Sequence, residues 1–236
     1  MKRTLLILAG LAALSNIASA NPACLSDTIA NYMANYTSLA TACQVGDKLF
    51  YAFLYSGTAA GTTAPTSSQV TVVGDSSNVN EPGLVFSSSG WTVSGTSTLA
   101  SPLYVDSNIS FTVAVVGLVP LIYDASLDFA NHFSVSGQGV ASIGETVTLG
   151  NTNTSTALHV DSANGPFTSV SEFSPVSFVR VNKDLIVQVP QNIDAATGTA
   201  TITSFREGFS EMPEPVSCVL FGSGLLGLGL LRRRRA

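Results

Sequence analysis

The sequence predicts a mainly β protein: an antiparallel β-sandwich or jelly-roll-like domain with one short N-terminal helix and a single C-terminal membrane helix. Three observations lead to this prediction. After residue 48, apolar and polar residues alternate along many short segments, clusters of Gly, Asn, Ser and Pro separate these segments, and no helical pattern lies between them. About ten short strands without intervening helices are typical of stacked antiparallel sheets.

The first 20 residues have the pattern of a secretory signal peptide. Lys2 and Arg3 precede an apolar run at residues 5–14, and small residues follow up to Ala20. That order of charge, apolar run and small residues is typical of an export signal, and the apolar run is too short for a stable membrane span. A buried N-terminal helix is the alternative. We predict cleavage between Ala20 and Asn21, so that residues 1–20 are removed.

One helix is predicted at the start of the remaining chain. Ile29, Tyr32, Met33 and Tyr36 recur at the i, i+3, i+4, i+7 spacing, which places them on one helical face. Ser26 is the expected N-cap of this helix. We expect a short amphipathic helix that packs its apolar face on the domain.

Cys24 and Cys43 lie on either side of that helix. The export signal predicts an oxidising compartment, where a disulfide closing a loop of this length stabilises a fold by roughly 3 kcal/mol. A metal site is the alternative, but no His lies close in sequence and structural zinc needs four ligands. We therefore predict a disulfide, no metal and no cofactor.

The clearest strand pattern lies at residues 109–115, where Ile109, Phe111, Val113 and Val115 alternate with small or polar residues. Asn182-Lys183-Asp184 separates two further strong patterns and predicts a hairpin turn. The remaining strands are predicted at residues 49–55, 69–73, 84–86, 91–93, 126–129, 145–149, 157–160, 176–181, 185–189 and 199–205. We assign residues 21–207 to one extracytoplasmic β-rich domain and residues 208–212 to a linker.

The C-terminal end combines three features in a fixed order. Pro213, Glu214 and Pro215 form an extended segment, and residues 216–231 are an uncharged run of 16 residues. As a helix this run is about 24 Å long, shorter than a hydrocarbon core of about 30 Å. The basic tail follows at once and favours the cytoplasmic side of the membrane; it consists of Arg232, Arg233, Arg234 and Arg235.

Residues 213–236 resemble the PEP-CTERM sorting signal of exported bacterial proteins. The resemblance implies cleavage near Pro213-Glu214-Pro215 by a membrane transpeptidase of the exosortase type, and transfer to a cell-surface acceptor. It also implies a transient inner-membrane hold and an exopolysaccharide or biofilm setting. The segment Cys43-Gln44-Val45-Gly46-Asp47 is similar to one in uncharacterised members of the same group. A Pro-rich linker before an ordinary tail anchor is the alternative.

Charge and motifs exclude several functional classes. The formal net charge is −5, and the only cations between the two termini are Lys48, Arg180, Lys183 and Arg206. A nucleic-acid binder normally has a basic face. His132 and His159 are the only histidines, and no Gly-x-Ser-x-Gly segment accompanies them.

Two other groups of residues suggest weaker functional alternatives. Asp124 and Asp128 are interpreted as exposed carboxylates rather than a catalytic pair. Trp91, Tyr104 and Tyr123 could stack on a sugar if they share an exposed face, and core packing is the alternative.

The sequence thus predicts a non-enzymatic surface or matrix protein, structural or adhesive, with no catalytic residues. The rival hypotheses are a carbohydrate-binding module, an exported hydrolase with an unusual site, and a membrane-anchored periplasmic protein.

Overall fold

The computed structural model describes residues 21–117, 121–191 and 195–211. This part of the chain forms two six-stranded sheets, one three-stranded sheet and one short α-helix, and every named strand pair is antiparallel. The predicted mainly β, antiparallel class is therefore confirmed.

The elements follow one another along the chain with only short interruptions. In order they are β1 (Asp27–Thr28), α1 (Ile29–Asn35), a 3-10 turn (Leu39–Thr41), β2 (Cys43–Val45), β3 (Lys48–Ala60), β4 (Thr71–Asp75), β5 (Gly83–Ser87), β6 (Thr92–Ser97), β7 (Leu103–Val115), β8 (Ile122–Asp128), β9 (Phe133–Gly137), β10 (Val140–Leu149), β11 (Ser155–Asp161), β12 (Thr168–Val176), β13 (Phe178–Val189), β14 (Ala196–Ile202) and β15 (Ser204–Gly208).

The two large sheets form a sandwich. The first sheet has the strand order β11-β10-β13-β7-β3-β2, and the second has the order β1-β4-β5-β15-β8-β12. Inward side chains from both sheets belong to one apolar cluster. Phe111 of the first sheet and Phe86 of the second have ring centroids 5.6 Å apart across the interior. The small sheet, β6-β14-β9, contacts the first sheet through all three of its strands.

Strand β7 forms the centre of the first sheet and has the predicted alternation. Ile109, Phe111, Val113 and Val115 are all buried in the core. Burying one such side chain stabilises the folded state by about 1.5–3 kcal/mol. The regular alternation therefore predicted both the strand and the face that it buries.

The helix begins later than predicted. Thr28 is the N-cap of α1, and its side chain accepts a hydrogen bond from the backbone N–H of Asn31. The prediction that Ser26 is the N-cap is wrong, because the chain is still extended at β1, where Asp27 and Thr28 pair with β4.

The predicted apolar face of α1 is confirmed. Ile29 and Tyr32 are buried, and Met33 and Tyr36 pack against the core cluster. The helix thus covers one part of the sandwich, as its spacing of apolar residues predicted.

The hairpin turn predicted at Asn182-Lys183-Asp184 does not exist. These residues lie in the middle of β13, which pairs without interruption with β10 on one side and with β7 on the other. Lys183 points into the core, where it is fully buried, so its charge does not mark a solvent-exposed turn.

The C-terminal end of the described chain is packed against the domain. Gly208 ends β15, and Phe209 is fully buried, with its ring centroid 6.1 Å from that of Phe50. Glu211 forms an ion pair with Lys48 at 2.6 Å. Residues 208–211, which the sequence analysis assigned to a linker, therefore continue the fold.

Residues 1–20 and 212–236 lie outside the described residues, and with them the predicted signal peptide and sorting signal. Within 21–117, 121–191 and 195–211, no helix has the length and apolar character needed to cross a membrane. The predicted membrane helix at 216–231 falls outside these ranges.

Candidate functional site

An open polar groove lies on the outer face of the first sheet. It has a volume of about 610 Å³. The central strands β3, β7, β13 and β10 supply its floor, because their outward side chains alternate with the buried ones. Most of the lining side chains carry a hydroxyl, amide or carboxylate group; they include Ser56, Thr58, Asp106, Asn108, Asn182 and Asp184.

The strand register aligns part of this lining in one row across the sheet. Asn108 of β7 lies opposite Ser56 of β3 and opposite Asp184 of β13. Gly144 of β10 continues the row opposite Asp184, and the nearest atom to a Cβ added at Gly144 would be 3.9 Å away. The missing side chain at Gly144 therefore leaves room above the sheet beside two polar groups.

Two of the groove's carboxyl groups, those of Asp106 and Asp184, lie near each other. Burial and the neighbouring charge of Asp184 raise the pKa of Asp106 above its ordinary value. A protonated carboxyl donates a hydrogen bond, and an ionised one accepts several. With amides and hydroxyls beside them, these acids can form hydrogen bonds in both directions with a ligand rich in hydroxyl groups.

The three aromatic residues considered for sugar stacking do not share an exposed face. Trp91 is fully buried, and its Nε1 donates a hydrogen bond to Ser107 Oγ at 3.2 Å. Tyr104 lies in β7 of the first sheet, whereas Tyr123 lies in β8 of the second. The hypothesis that these residues form a stacking platform is therefore wrong. Trp91 packs in the core, as the alternative predicted.

The two histidines are exposed and lie in different segments of the chain. His132 follows β8, and His159 lies in β11, with its Nε2 4.0 Å from Asp161 Oδ2. Within the described chain, neither imidazole forms a hydrogen bond with a serine hydroxyl. The described residues also contain no cluster of three or more His, Cys, Asp or Glu side chains suited to a metal.

Asp124 and Asp128 have structural partners. Asp124 is buried rather than exposed as expected, and it accepts a hydrogen bond from the backbone N–H of Ser210 at 3.0 Å. Asp128 accepts one from the backbone N–H of Ala130 at 2.8 Å. Both carboxylates therefore hold backbone segments in place.

The structure also contains a buried ionic cluster that was not predicted from the sequence. Lys183 of β13 forms ion pairs with Glu145 of β10 and Glu207 of β15, and all three side chains are fully enclosed. Burial, and then the charge of Glu145, raise the pKa of Glu207 well above its ordinary value. Burial acts to lower the pKa of Lys183, but the two glutamates outweigh it and raise that pKa.

The alternation along β13 contains the signal for this cluster. Lys183 is in phase with Val181 and Leu185, which both point inward. Side chains alternate between the two faces of a strand, so a single strand over residues 178–189 places Lys183 in the core. A buried lysine needs a carboxylate partner, but its identity depends on strand pairing that the sequence does not display.

The predicted disulfide between Cys24 and Cys43 is confirmed, with the Cα atoms 4.9 Å apart. It ties the start of the described chain to β2. Asn21, the predicted first residue after signal cleavage, donates a hydrogen bond from its Nδ2 to the carbonyl oxygen of Ala42 at 2.9 Å. A disulfide indicates an oxidising, exported environment.

The other predicted processing residues lie outside the described residues. They are Ala20, Pro213, Glu214, Pro215, Arg232, Arg233, Arg234 and Arg235.

No protein-family model matches this chain, and no curated protein matches its sequence. Among solved structures, the chain is similar to a carbohydrate-binding module in complex with β-1,4-galactotriose. The TM-score is 0.31 and the identity is 12%, and the match covers 66% of this chain and 86% of the module.

It is also similar to a glycosylation-associated protein complex (Gap123) from Streptococcus agalactiae, with a TM-score of 0.28 and 8% identity. That match covers 65% of this chain and only 25% of the Gap123 chain.

Proposed function

We propose that this chain is an exported, non-enzymatic surface or matrix protein that is processed at both ends. Cleavage between Ala20 and Asn21 would release the disulfide-linked domain on the far side of the inner membrane. An exosortase-type transpeptidase would then act near Pro213-Glu214-Pro215. The observation that carries the proposal is the order of elements at the C-terminal end, where an extended Pro-Glu-Pro segment, a short apolar run and an arginine block follow the domain.

The end of the described domain fits this order. The chain is held by the core at Phe209 and by Lys48 at Glu211, and Pro213 follows two residues later. A processing enzyme needs an accessible, extended peptide, and two prolines keep the segment out of a helix interior or a central strand. Cleavage there would leave the β-sandwich intact and free of its tail.

The test is the C-terminal peptide of the protein in its native host. We expect loss of residues beyond the Pro213-Glu214-Pro215 region, an added group on the new end, and protein in the surface or extracellular fraction. Replacing these three residues by alanine should retain the tail and leave the protein in the membrane fraction. An unchanged chain through Arg235 in the inner membrane would contradict sorting and favour a membrane-anchored periplasmic protein.

We propose as a second function that the groove on the first sheet binds polysaccharide. Its lining supports this, because hydroxyl, amide and carboxylate side chains in one open channel match the donors and acceptors of sugar hydroxyls. Exopolysaccharide is the ligand class that agrees with a surface location. The two neighbouring carboxyl groups of the groove, Asp106 and Asp184, are assigned to binding sugar hydroxyls without turnover.

Glycan-array binding followed by calorimetry would test the groove. The double variant Asn108→Ala with Asp184→Ala should weaken binding of a positive glycan by roughly 10-fold or more, because each lost polar contact contributes about 1 kcal/mol or more. Glu172→Gln removes an exposed carboxylate from β12 of the second sheet and is the matched control. Absence of binding above background, or equal loss in the control, would contradict the groove as a sugar site.

A further inference from the structure

We propose that Lys183 and Glu207 condense into an internal isopeptide bond that links the two sheets, with Glu145 as the proton-transfer group. The three residues come from different strands and meet in the interior of the sandwich. This modification goes beyond the function proposed above, since it requires neither sorting nor sugar binding.

The reacting groups are already in contact. Lys183 Nζ lies 2.5 Å from Glu207 Oε2. The carboxyl carbon of Glu207 is one C–O bond of about 1.2 Å further, so Nζ and Cδ are separated by about 3.7 Å at most. Reacting atoms in a productive arrangement are about 3–3.5 Å apart. Glu145 also contacts Nζ through its Oε2, which places a proton acceptor at the attacking nitrogen.

The surroundings favour condensation. The side chains of Lys183, Glu145 and Glu207 are fully enclosed, and the Phe205 ring lies 5.6 Å from Nζ. In water, hydration stabilises an ammonium and a carboxylate against amide formation. Burial removes that hydration, so a step that eliminates charge is favoured in an apolar interior.

Hydrogen bonding within the cluster is incomplete. Glu145 Oε1 and Glu207 Oε1 are buried and have no hydrogen-bond partner in the described part of the chain. The single lysine therefore does not supply hydrogen bonds to all four carboxyl oxygens. Each buried polar atom without a partner lowers the stability of the fold by about 1–3 kcal/mol. An amide between Lys183 and Glu207 would remove one of these carboxyl groups and release its oxygen as water.

Protons and charges balance within the cluster. One lysine cation and one ionised glutamate leave the second glutamate protonated, and burial and the nearby Glu145 favour the protonated form of Glu207. Glu145 takes a proton from the Lys183 ammonium, and the neutral amine attacks Cδ of protonated Glu207. A proton then passes from nitrogen through Glu145 to the Glu207 hydroxyl, the C–O bond breaks and water leaves. The products are one amide, one water and protonated Glu145.

Peptide mapping of the purified full chain tests this bond directly. Trypsin does not cleave after an acylated lysine, so Lys183 should resist cleavage. Its peptide should be joined to the peptide that begins at Glu207 and should have lost the mass of one water. Linear peptides with free Lys183 and free Glu207 would overturn the proposal, and a link from Lys183 to Glu145 would overturn the choice of Glu207.

Two variants separate chemistry from folding. Glu145→Gln keeps the shape of the side chain but cannot accept the proton, so this variant should lack the link and retain the mass of the water. If the link still forms in Glu145→Gln, the proposed role of Glu145 in proton transfer is wrong. Lys48→Arg is the matched control, because Lys48 is the other fully buried lysine in the described chain, and its partners Asp47 and Glu211 are partly exposed. This control should keep the Lys183–Glu207 link.

Discussion

Adjacent residues of β13 have opposite environments because side chains alternate across a strand. Asp184 faces the groove, where it is solvent-accessible and lies near Asp106, whereas Lys183 faces the core between two glutamates. The carboxyl group of Asp184 is therefore accessible to a ligand in the groove. The amine of Lys183, one residue earlier, contacts only the two buried carboxyl groups.

The Asp106→Asn substitution should stabilise the domain at neutral pH. Burial and the charge of Asp184 raise the folded-state pKa of Asp106 above the ordinary value of 3.8, so the folded state binds this proton more tightly than the unfolded chain. The contribution of Asp106 to the stability of the wild type is therefore fully present below pH 3.8. It is lost as the pH rises through the folded-state pKa. The Asp106→Asn variant has no ionisable group at this position, so its stability should not fall in this way as the pH rises.

Urea denaturation of wild type and Asp106→Asn on both sides of that pH range would measure the difference. We expect similar free energies of unfolding in acid and a more stable variant at neutral pH. Glu172→Gln in the second sheet should not show this pH-dependent gain. A gain of equal size at every pH would show that the Asp106–Asp184 interaction is not its cause.

At the scale of elements, regular alternation was the most informative sequence signal. It predicted β7 and its buried face, and the helical spacing predicted the apolar face of α1. Strands β9 and β12 were missed because most of their residues are exposed or half-buried, which leaves no apolar series to detect. β13 was divided in two because Asn182-Lys183-Asp184 has the composition of a turn, and only the partners of Lys183 explain a buried charge there.

The residues of the groove could be predicted less well than the strands. Ser56, Asn108, Asp184 and Gly144 are far apart in sequence, and they form one row only through the registers of β3, β7, β13 and β10. A shift of one residue in any register would move these side chains to the other face. The two cysteines were easier to pair, because the loop between them is short and both precede the first long strand.

At the scale of the whole molecule, both ends of the described domain meet in one region. Ala23 forms a bridge with Gln44 of β2, and Val45 of the same strand pairs with Lys48. Lys48 in turn forms an ion pair with Glu211 at the other end of the described chain. The first and the last described residues therefore lie in one region, which the disulfide strengthens.

Glu211→Gln should loosen this region. Lys48 is fully buried and would keep only Asp47, at 2.8 Å, as an ionic partner. Loss of a charged hydrogen-bond partner from a buried group costs about 1–3 kcal/mol, so the free energy of unfolding should fall by about that amount. Adding Lys48→Met to this variant should recover part of the loss, because the uncompensated buried charge is then absent. Urea denaturation of the single and double variants would measure both effects, with Glu172→Gln as the exposed control. If Glu211→Gln is as stable as the wild type, the Lys48–Glu211 pair does not hold the C-terminal end on the domain.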